Sequence, residues 1–505
     1  MASSITASDR GRTTLWVAAL VCVVAPLYFL PATRYSFPVG FAGLYALMAQ
    51  EVGANGFALP LHIPYYGPGG IPFAYPPLGA YLMAAVDGLA GLPAFTYMRY
   101  APPLFSLLAL ILAYLFFRRI TQSDAASFVT VALIGLSPTV FGYNVTAGGV
   151  VRALAQLLTM GCLYALLRWL QDHPTSFPVW PGLLLGLTIL THLTNALFLV
   201  LAVPLICFFQ VSPRKAVVAC ARIFIVGLVV SAAWWIHVFA SFGPSVFLDA
   251  IRSHGTTDVL TRLTHPLQIA YAIDSMRSMY GPMPLLFILV ALGFGAAVAR
   301  RKWFLPLWLL LCVVALNEAE RLTILVGALL AADLLAAVFL RLQKHRRAMA
   351  PASLAIAVLV AYSAANPVRN IIQTAPGISQ ATVELSQWFH QNTPDHATFI
   401  ALGPPPQSEW MPYLLRRTPL IGVWGSEWLG TYDTAARITD EAESCYSRQD
   451  QQCVERLLVQ WGLEPDYIIV FNPPGPSSLQ AEMAAHYPVV FQNSAAVVFL
   501  YSGPG

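Results

Sequence analysis

Several charged or polar side chains interrupt long apolar stretches of this sequence, and they are its first candidates for chemistry. Arg152 lies in AGGVVRAL, while Glu318, Glu320 and Arg321 lie in NEAERL. A charged side chain that faces lipid is costly, so Arg152 should face a cavity, where it could bind an anion such as phosphate, or extend to the membrane interface. The NEAERL charges should pair with one another or with a ligand. His192, in THLTN, could contact a ligand or form a hydrogen bond between two helices.

Composition indicates the environment in which these residues function. Of the 505 residues, 57% are hydrophobic and only 10% are charged, whereas a soluble globular protein carries about 25% charged residues. One core cannot hide so much apolar surface, so lipid must solvate part of it. The formal net charge of +4 does not suggest a nucleic-acid partner. No small-residue cleavage site follows the apolar run from Leu15 to Pro31, which predicts a retained first helix.

Apolar runs of the length that crosses a bilayer recur along the first three quarters of the chain. A spanning helix needs about 20 mostly apolar residues. The pair 180–191 and 194–210 is too long for one span and short for two, so we expect two short helices that meet at THLTN. The sequence predicts about eleven transmembrane helices, at 15–31, 99–117, 124–142, 150–168, 180–191, 194–210, 221–240, 281–299, 303–317, 322–340 and 351–365.

Basic residues cluster on alternate short connections between these runs, which orients the set. Positively charged loops favour the cytoplasmic side. We therefore predict a multi-pass protein of the plasma (inner) membrane with a cytoplasmic N-terminus and an extracytoplasmic C-terminal tail. The basic residues assigned to the cytoplasmic side are Arg10, Arg12, Arg118, Arg119, Arg168, Arg214, Lys215, Arg222, Arg300, Arg301, Lys302, Arg341, Lys344, Arg346 and Arg347.

Two polar regions are long enough to carry chemistry outside the membrane. The first external loop covers about 32–97 and should contain two surface helices, Gly43–Val52 and Pro76–Leu89, at the membrane surface. The tail, 366–505, alternates short strands with helices, which is typical of a small α/β domain. The predicted fold is therefore mainly α: a helical membrane domain, 1–365, followed by an extracytoplasmic α/β domain.

Cysteine usage supports the external position of the tail. Cys445 and Cys453 are the only two cysteines in the tail, eight residues apart, and an isolated pair in an exported domain predicts a disulfide. The other five cysteines lie in or beside apolar runs, where cysteine usually acts as a small hydrophobic residue. Neither a zinc-ligand spacing nor a CxxC motif occurs, so no metal or other cofactor is predicted, although separate loops could still assemble a site for a divalent metal.

This arrangement resembles the C class of glycosyltransferases (GT-C), integral membrane enzymes that use polyprenyl-phosphate sugars. The resemblance lies in the first helix, the large external loop with PFAYPPLGAYL (Pro72–Leu82), the broken hairpin with GLTILTH (Gly186–His192), and the α/β tail. The family includes protein mannosyltransferases, aminoarabinose transferases and oligosaccharyltransferases. The tail lacks the WWDYG-type motif of the last group, because VWGSEWLG (Val423–Gly430) is aromatic and acidic but does not match it.

The resemblance implies transfer of a sugar from a polyprenyl-phosphate carrier to a lipid, glycan or protein acceptor on the external face. Basic residues near the membrane surface would hold the carrier phosphate and stabilise it as leaving group. Arg152 and Arg321 are the candidates for that role, with Glu320 beside them. His192 could contact the phosphate or the sugar. His62, Tyr65 and Tyr66 could line an acceptor cleft, although tyrosines also belong at membrane interfaces without any such role.

The sequence departs from the family at the position of the general base. The family's usual aspartate lies at the start of the first surface helix, but Phe37–Gly43 contains no acid. Glu51 is the first acid of the loop and the only one before YPPL, so it is the candidate base, with Asp87 next. The alternative is a noncatalytic GT-C-like subunit that binds a glycan or lipid. A transporter or flippase is disfavoured, because the polar residues gather at one face and no repeated halves occur.

Overall fold

The computed structural model describes residues 7–67, 69–172, 176–253, 283–316, 320–343, 346–473 and 475–501. Up to residue 373 the described chain is almost entirely helical, as the apolar runs predict. Its helices are α1 (Ala7–Arg34), α2 (Gly43–Ala54), α3 (Leu78–Ala90), α4 (Ala94–Thr121), α5 (Asp124–Gly135), α6 (Pro138–Asn144), α7 (Gly149–Asp172), α8 (Val179–Ile189), α9 (Leu193–Gln210), α10 (Pro213–Phe242), α11 (Ser245–Ser253), α12 (Pro284–Ala299), α13 (Phe304–Ala315), α14 (Glu320–Gln343) and α15 (Arg346–Gln373).

Six of the described helices are long and apolar enough to cross a membrane: α1, α4, α7, α9, α10 and α14. A seventh span results if α5 and α6, which meet at a bend of 63°, are counted together. The helices α8, α12 and α13 are apolar but shorter than a bilayer crossing requires. The chain is therefore a multi-pass membrane protein. The prediction of eleven crossings counts these short helices and α15 as well as the long ones.

The break predicted at THLTN separates α8 from α9. His192 has an extended backbone, with φ −160° and ψ 119°, between the two helices. The backbone N–H of Leu78, in the PPLG segment, donates to the carbonyl of Leu190 at 2.8 Å. This bond attaches the start of α3 to the break. Gly186 lets α8 approach α10 closely, because a Cβ there would lie only 2.5 Å from Val230 Cβ.

The first external loop forms α2, α3 and a two-stranded antiparallel sheet of β1 (His62–Ile63) and β2 (Ile71–Pro72). The two surface helices thus lie close to the predicted positions. All the α2 residues from Gly43 to Ala49 are buried, rather than one face alone. A helix buried all round is covered on several sides. Here the tail provides part of the cover, since Trp410 and Met411 share a core cluster with Leu44 and Tyr45.

The tail is a small α/β unit with a mixed five-stranded sheet in the order β4–β3–β5–β7–β6. Strands β4 and β5 lie parallel to β3, whereas β7 pairs antiparallel with both β5 and β6. A short 3₁₀ helix, Ser426–Leu429, follows β4. The other elements are α16 (Gln380–Asn392), β3 (Thr398–Leu402), α17 (Pro405–Leu415), β4 (Thr418–Pro419), α18 (Tyr432–Arg448), α19 (Gln451–Trp461), β5 (Tyr467–Phe471), α20 (Ser478–His486), β6 (Val489–Gln492) and β7 (Ala496–Leu500).

Candidate active site

Two buried arginines meet at one tyrosine at the loop-facing end of the helical domain. The guanidinium carbon of Arg152 lies 4.3 Å from the ring centroid of Tyr143, and that of Arg321 lies 3.8 Å from the same centroid. Arg152 also lies 4.8 Å from the ring of Phe41. His192 Nε2 is 3.4 Å from the Tyr143 hydroxyl oxygen. Three residues selected from the sequence therefore converge on Tyr143, and we call Arg152, Arg321, Tyr143 and His192 the arginine centre.

Local backbone geometry positions this centre. Tyr143 lies on α6, whose axis turns by 63° from that of α5. Gly149 at the start of α7 allows the end of α6 to approach, because a Cβ there would lie 1.9 Å from the Asn144 carbonyl oxygen. Arg152 follows one turn later. The bend and the close contact at Gly149 together place Tyr143 beside Arg152.

Arg321 is held by a polar chain across three helices. Its Nη2 donates to Asn195 Oδ1 at 3.1 Å, and Asn195 Nδ2 donates to Thr159 Oγ1 at 3.1 Å. Beside Arg321, a cavity of about 20 Å³ is lined in part by buried Asn144 and Gln156. The guanidinium of Arg321 is therefore fixed by α9 from one side and borders this small, mainly apolar cavity on another.

Within the part of the chain that the structure describes, the two buried arginines form no ion pair. Arg152 is 8% exposed and Arg321 is 3% exposed. Within the described residues, neither has a carboxylate oxygen within 4.0 Å. The buried Nε atoms of both lack a hydrogen-bond partner there. An aromatic face offsets part of the cost of burying a cation, by about 2 kcal/mol when the cation is desolvated. An anionic ligand would compensate the remaining charge.

Tyr45, on α2, connects the arginine centre to two buried acids. Burial raises the pKa of Tyr45 to about 12, while Arg152 lowers it and Tyr143, Glu409 and Glu427 raise it further. These residues therefore lie within electrostatic range of one hydroxyl group. Both acids belong to the tail, so the tail brings negative charge towards the arginines of the membrane domain.

Glu427 is the first of these acids. It lies in the 3₁₀ helix within VWGSEWLG, is 5% exposed, and accepts a hydrogen bond from the Tyr75 hydroxyl group. Tyr75 belongs to the YPPL element, and its ring packs 5.0 Å from that of Trp428. Burial raises the pKa of Tyr75 well above its usual value, and Glu427 adds to the increase. The YPPL element and the aromatic-acidic segment of the tail thus form one contact.

Glu409, on α17, is the second acid and caps the first surface helix. Its Oε2 accepts from the Gly43 N–H and its Oε1 from the Leu44 N–H, both at 3.0 Å. These are N–H groups of the first turn of α2, which have no partner within the helix. Burial raises the pKa of Glu409, although the two N–H groups and Arg152 oppose this increase. A tail glutamate therefore supplies a carboxyl group at the helix start where the GT-C resemblance predicts an aspartate.

Comparison with solved structures identifies the fold. The archaeal oligosaccharyltransferase AglB from Archaeoglobus fulgidus, in complex with an inhibitory peptide and a dolichol-phosphate, matches with a TM-score of 0.63 at 14% identity, over 92% of this chain and 70% of that chain. ArnT from Cupriavidus metallidurans, bound to undecaprenyl phosphate, matches with a TM-score of 0.56 at 16% identity, over 98% and 99% of the two chains. This chain has a GT-C glycosyltransferase fold.

A third structure with this fold, the arabinofuranosyltransferase AftD from Mycobacteria, matches with a TM-score of 0.52 at 16% identity, over 97% of this chain and 40% of that chain. No protein-family model and no curated protein sequence matches the chain. The structure thus identifies the GT-C fold. At 14–16% identity these matches show the fold alone, so donor and acceptor are inferred from the residues of the site.

Within the GT-C fold, the predicted base lies apart from the arginine centre. Glu51 is partly exposed on α2 and lines a surface cavity of about 440 Å³ together with Tyr65, Asp87 and Arg416. Burial raises the pKa of Glu51, and Arg416 lowers it. Glu51 and Tyr65, both selected from the sequence, therefore share a cavity, whereas Arg152 and Arg321 lie elsewhere. A base role for Glu51 stays a prediction.

The remaining predicted site residues do not lie together in one site. His62 is exposed, and its ring packs edge-on against Phe242 at 5.5 Å. Tyr66 is buried, and its hydroxyl group donates to the Glu409 carbonyl oxygen at 3.2 Å. Glu320 begins α14, but its side chain and all of Glu318 lie outside the described residues. Of the predicted acceptor cleft, the structure thus brings only Tyr65 together with Glu51.

The two cysteines of the tail pair as the sequence predicts. Cys445 and Cys453 form a disulfide between the end of α18 and the start of α19, with their Cα atoms 5.4 Å apart.

Among the residues that the structure describes, no group of three or more His, Cys, Asp or Glu side chains could hold a metal ion. The absence of a dedicated metal site stays a prediction from the sequence.

Proposed function

We propose that this chain is a GT-C glycosyltransferase that moves a sugar from a polyprenyl-phosphate carrier to an acceptor on the extracytoplasmic face. One observation carries the proposal: two buried arginines converge on Tyr143 without a carboxylate partner among the described residues. A phosphate group satisfies such a pair, because guanidinium groups bind its oxygens through charged, often paired hydrogen bonds. AglB with dolichol-phosphate and ArnT with undecaprenyl phosphate share the fold and support this donor class.

The chemistry is a single displacement at the sugar's anomeric carbon. An acceptor hydroxyl oxygen forms the new glycosidic bond while the bond from the anomeric carbon to the carrier phosphate breaks. The phosphate takes the electron pair, and Arg152 and Arg321 stabilise its increasing charge. Attack opposite the leaving group inverts the anomeric centre, and we propose a hexosyl group as the transferred sugar.

We assign to Glu427 the role of general base, the carboxylate that accepts the proton of the acceptor hydroxyl group. It contacts Tyr75 of the YPPL element and acts electrostatically on Tyr45, which neighbours Arg152. Glu409, whose two oxygens accept hydrogen bonds from backbone N–H groups, has the role of capping α2. Glu51 remains the alternative from the sequence, and the two candidates are separable by kinetics.

The orientation that we propose places the first loop and the tail outside the cell, in the plasma (inner) membrane. Arg118 and Arg119, predicted to be cytoplasmic, end α4, and Arg119 pairs with Asp172 at the end of α7. The arginine centre lies at the opposite end of α7. The disulfide in the tail is compatible with an oxidising compartment.

A second candidate is a noncatalytic subunit that binds a lipid-linked glycan. One observation favours it: the start of α2, where the family carries its aspartate, is occupied by Glu409, whose carboxyl oxygens are already hydrogen-bonded. Such a subunit would retain the donor site and lack the proton acceptor. It therefore predicts donor binding without transfer.

The test uses purified full-length protein in lipid nanodiscs with a panel of radiolabelled polyprenyl-phosphate sugars. Binding is measured for each donor, and transfer is followed as loss of label from the carrier in the presence of glycan, lipid and peptide acceptors. We expect saturable binding of at least one donor, followed by transfer. Binding of every donor without transfer supports the noncatalytic subunit, and failure to bind any donor contradicts both functions. Polyprenyl phosphate without sugar serves as the competitor that reports the phosphate site.

A further inference from the structure

The cavity that contains Glu51 has the features of a second binding site. Its volume is about 440 Å³, and it opens between α2 and α3 of the first loop and the end of α17 in the tail. That volume is within the range of small-molecule sites, about 300–1,000 Å³. Its polar and aromatic lining comes from Gln50, Glu51, Phe57, Tyr65, Asp87 and Arg416.

The polar groups of this cavity offer both acceptors and donors to a ligand. Glu51 and Asp87 provide carboxylates from two different helices. Arg416 Nη2 lies 3.5 Å from Gln50 Oε1, at the outer limit of a hydrogen bond, and the guanidinium group is exposed. The contact between Arg416 and Gln50 is thus weak enough for a ligand with several hydroxyl groups to replace.

Two aromatic residues of the lining have an uncommon backbone conformation. Phe57 has φ +63° and Tyr65 has φ +64°, in the left-handed region that large side chains seldom adopt. The Tyr81 hydroxyl group donates to the Phe57 carbonyl oxygen at 3.1 Å and helps to fix that segment. Phe57 nevertheless remains 46% exposed. Backbone strain of this kind persists where the surrounding structure maintains it, often at ligand sites.

We propose that this cavity binds a sugar residue of a carbohydrate acceptor. Carboxylates, an amide and a guanidinium group can bind adjacent hydroxyl groups, while the exposed face of Phe57 can cover the apolar face of a pyranose or furanose ring. A peptide fits less well, because the described lining contains no strand edge to which an extended chain could add. That the bound carbohydrate is the acceptor rests on the proposed transferase function. Carbohydrate binding by the cavity does not depend on that function.

The position of the cavity suits an acceptor that extends away from the reaction. Glu51 follows Tyr45 by six residues on α2, about 9 Å along the helix axis. Tyr45 neighbours Arg152, so the same helix presents one end of its surface to the arginine centre and the other to the cavity. The cavity and the arginine centre therefore lie at different ends of α2.

The test measures binding of free trisaccharides of mannose, glucose, galactose and arabinose to the full-length protein by saturation-transfer NMR, with no donor present. We expect at least one trisaccharide to bind, and its Kd to rise at least about tenfold in Phe57→Ala and in Glu51→Gln. The matched controls are Phe177→Ala and Glu482→Gln, which change exposed residues that are not part of the cavity lining. Both should leave the Kd unchanged within about twofold.

Three outcomes overturn the proposal: no trisaccharide binds at millimolar concentration, binding is equal in cavity and control variants, or a peptide acceptor rather than a sugar loses affinity in the cavity variants. The outcome is separable from that of the proposed function. Donor binding and transfer without trisaccharide binding would remove only the cavity's role. Trisaccharide binding without any donor binding would retain the cavity as a carbohydrate site and remove the transferase.

Discussion

The two ends of α7 carry arginines in opposite environments. At its last turn, Asp172 lies 2.9 Å from Arg119 and 3.8 Å from Arg168, and these side chains remain partly exposed. Near its first turn, Arg152 is almost completely buried and stacks on Tyr143 without an acid within 4.0 Å among the described residues. One end neutralises its positive charge internally, and the other leaves it available to a ligand.

This difference distinguishes structural from functional charge in a membrane protein. An exposed ion pair contributes about 0–1 kcal/mol and can be removed with little effect. A buried cation without a counterion is costly, and it is retained where a function requires it. The contrast between the two ends therefore makes predictions that can be tested with matched variants, one from each end.

The largest expected effect compares Glu427, the proposed base, with Asp172, the acid at the last turn of α7. Glu427→Gln should lower kcat for sugar transfer by at least about 100-fold, because the amide retains the shape of the side chain but cannot accept the acceptor's proton. Donor Kd should change little. Asp172→Asn should leave kcat within about twofold, since it removes only an exposed ion pair.

The same assay separates Glu427 from Glu51. If Glu51 holds the acceptor as proposed, Glu51→Gln raises the acceptor KM and changes kcat less than Glu427→Gln does. A loss of kcat confined to Glu51→Gln would assign the base to Glu51 and remove that role from Glu427.

The second effect concerns the arginines. Arg152→Ala and Arg321→Ala should each weaken donor binding about 10- to 100-fold, because a hydrogen bond to a charged group contributes about 1.5–3 kcal/mol. Arg119→Ala should change donor Kd by less than about twofold. Donor Kd is measured in nanodiscs, and thermal unfolding is recorded for each variant.

Lysine substitutions keep this prediction testable if an alanine variant unfolds. Arg152→Lys and Arg321→Lys retain the charge but lose the planar fork that pairs with phosphate oxygens. Weakened binding in a folded lysine variant supports direct phosphate contact. Unchanged donor Kd in both lysine and alanine variants would place the carrier phosphate elsewhere.

The third effect compares a buried with an exposed acid in the tail. Glu409→Ala leaves the buried N–H groups of Gly43 and Leu44 without acceptors, and each unsatisfied group costs about 1–3 kcal/mol. We expect faster hydrogen exchange at the start of α2 and easier proteolysis between the first loop and the tail. The control Glu482→Ala, which removes an exposed carboxyl group, should change neither. Equal protection in the two variants would show that the cap does not hold the first loop to the tail.

Local pattern in the sequence was sufficient for the helices and for half of the candidate site. Apolar runs predicted the helices. The cost of burying charge selected Arg152 and the charges of NEAERL, and the GT-C resemblance assigned Arg321 to the carrier phosphate together with Arg152. The acids could not be found in this way. Glu409 and Glu427 contact the first loop from 366 and 352 residues away along the chain. Their roles depend on how the tail docks, which no local periodicity encodes. The aromatic-acidic segment VWGSEWLG was the only available signal.

The smallest expected effect decides which end of α7 faces outside. The disulfide Cys445–Cys453 closes a short loop and should contribute roughly 2–3 kcal/mol to the tail, with little effect on donor binding. If the tail folds in an oxidising compartment, protein denatured without reductant should show five reactive thiols, and seven after reduction. The five are Cys22, Cys162, Cys207, Cys220 and Cys312, which are free in the structure and act as internal controls for labelling. Seven thiols before reduction would mean that the bridge does not form in the cell. A reporter fused after Gly505 that is active only in the cytoplasm should be silent in the same cells. A strong signal from it, together with seven thiols, would place the arginine centre on the cytoplasmic side and reverse the assignment of the two ends.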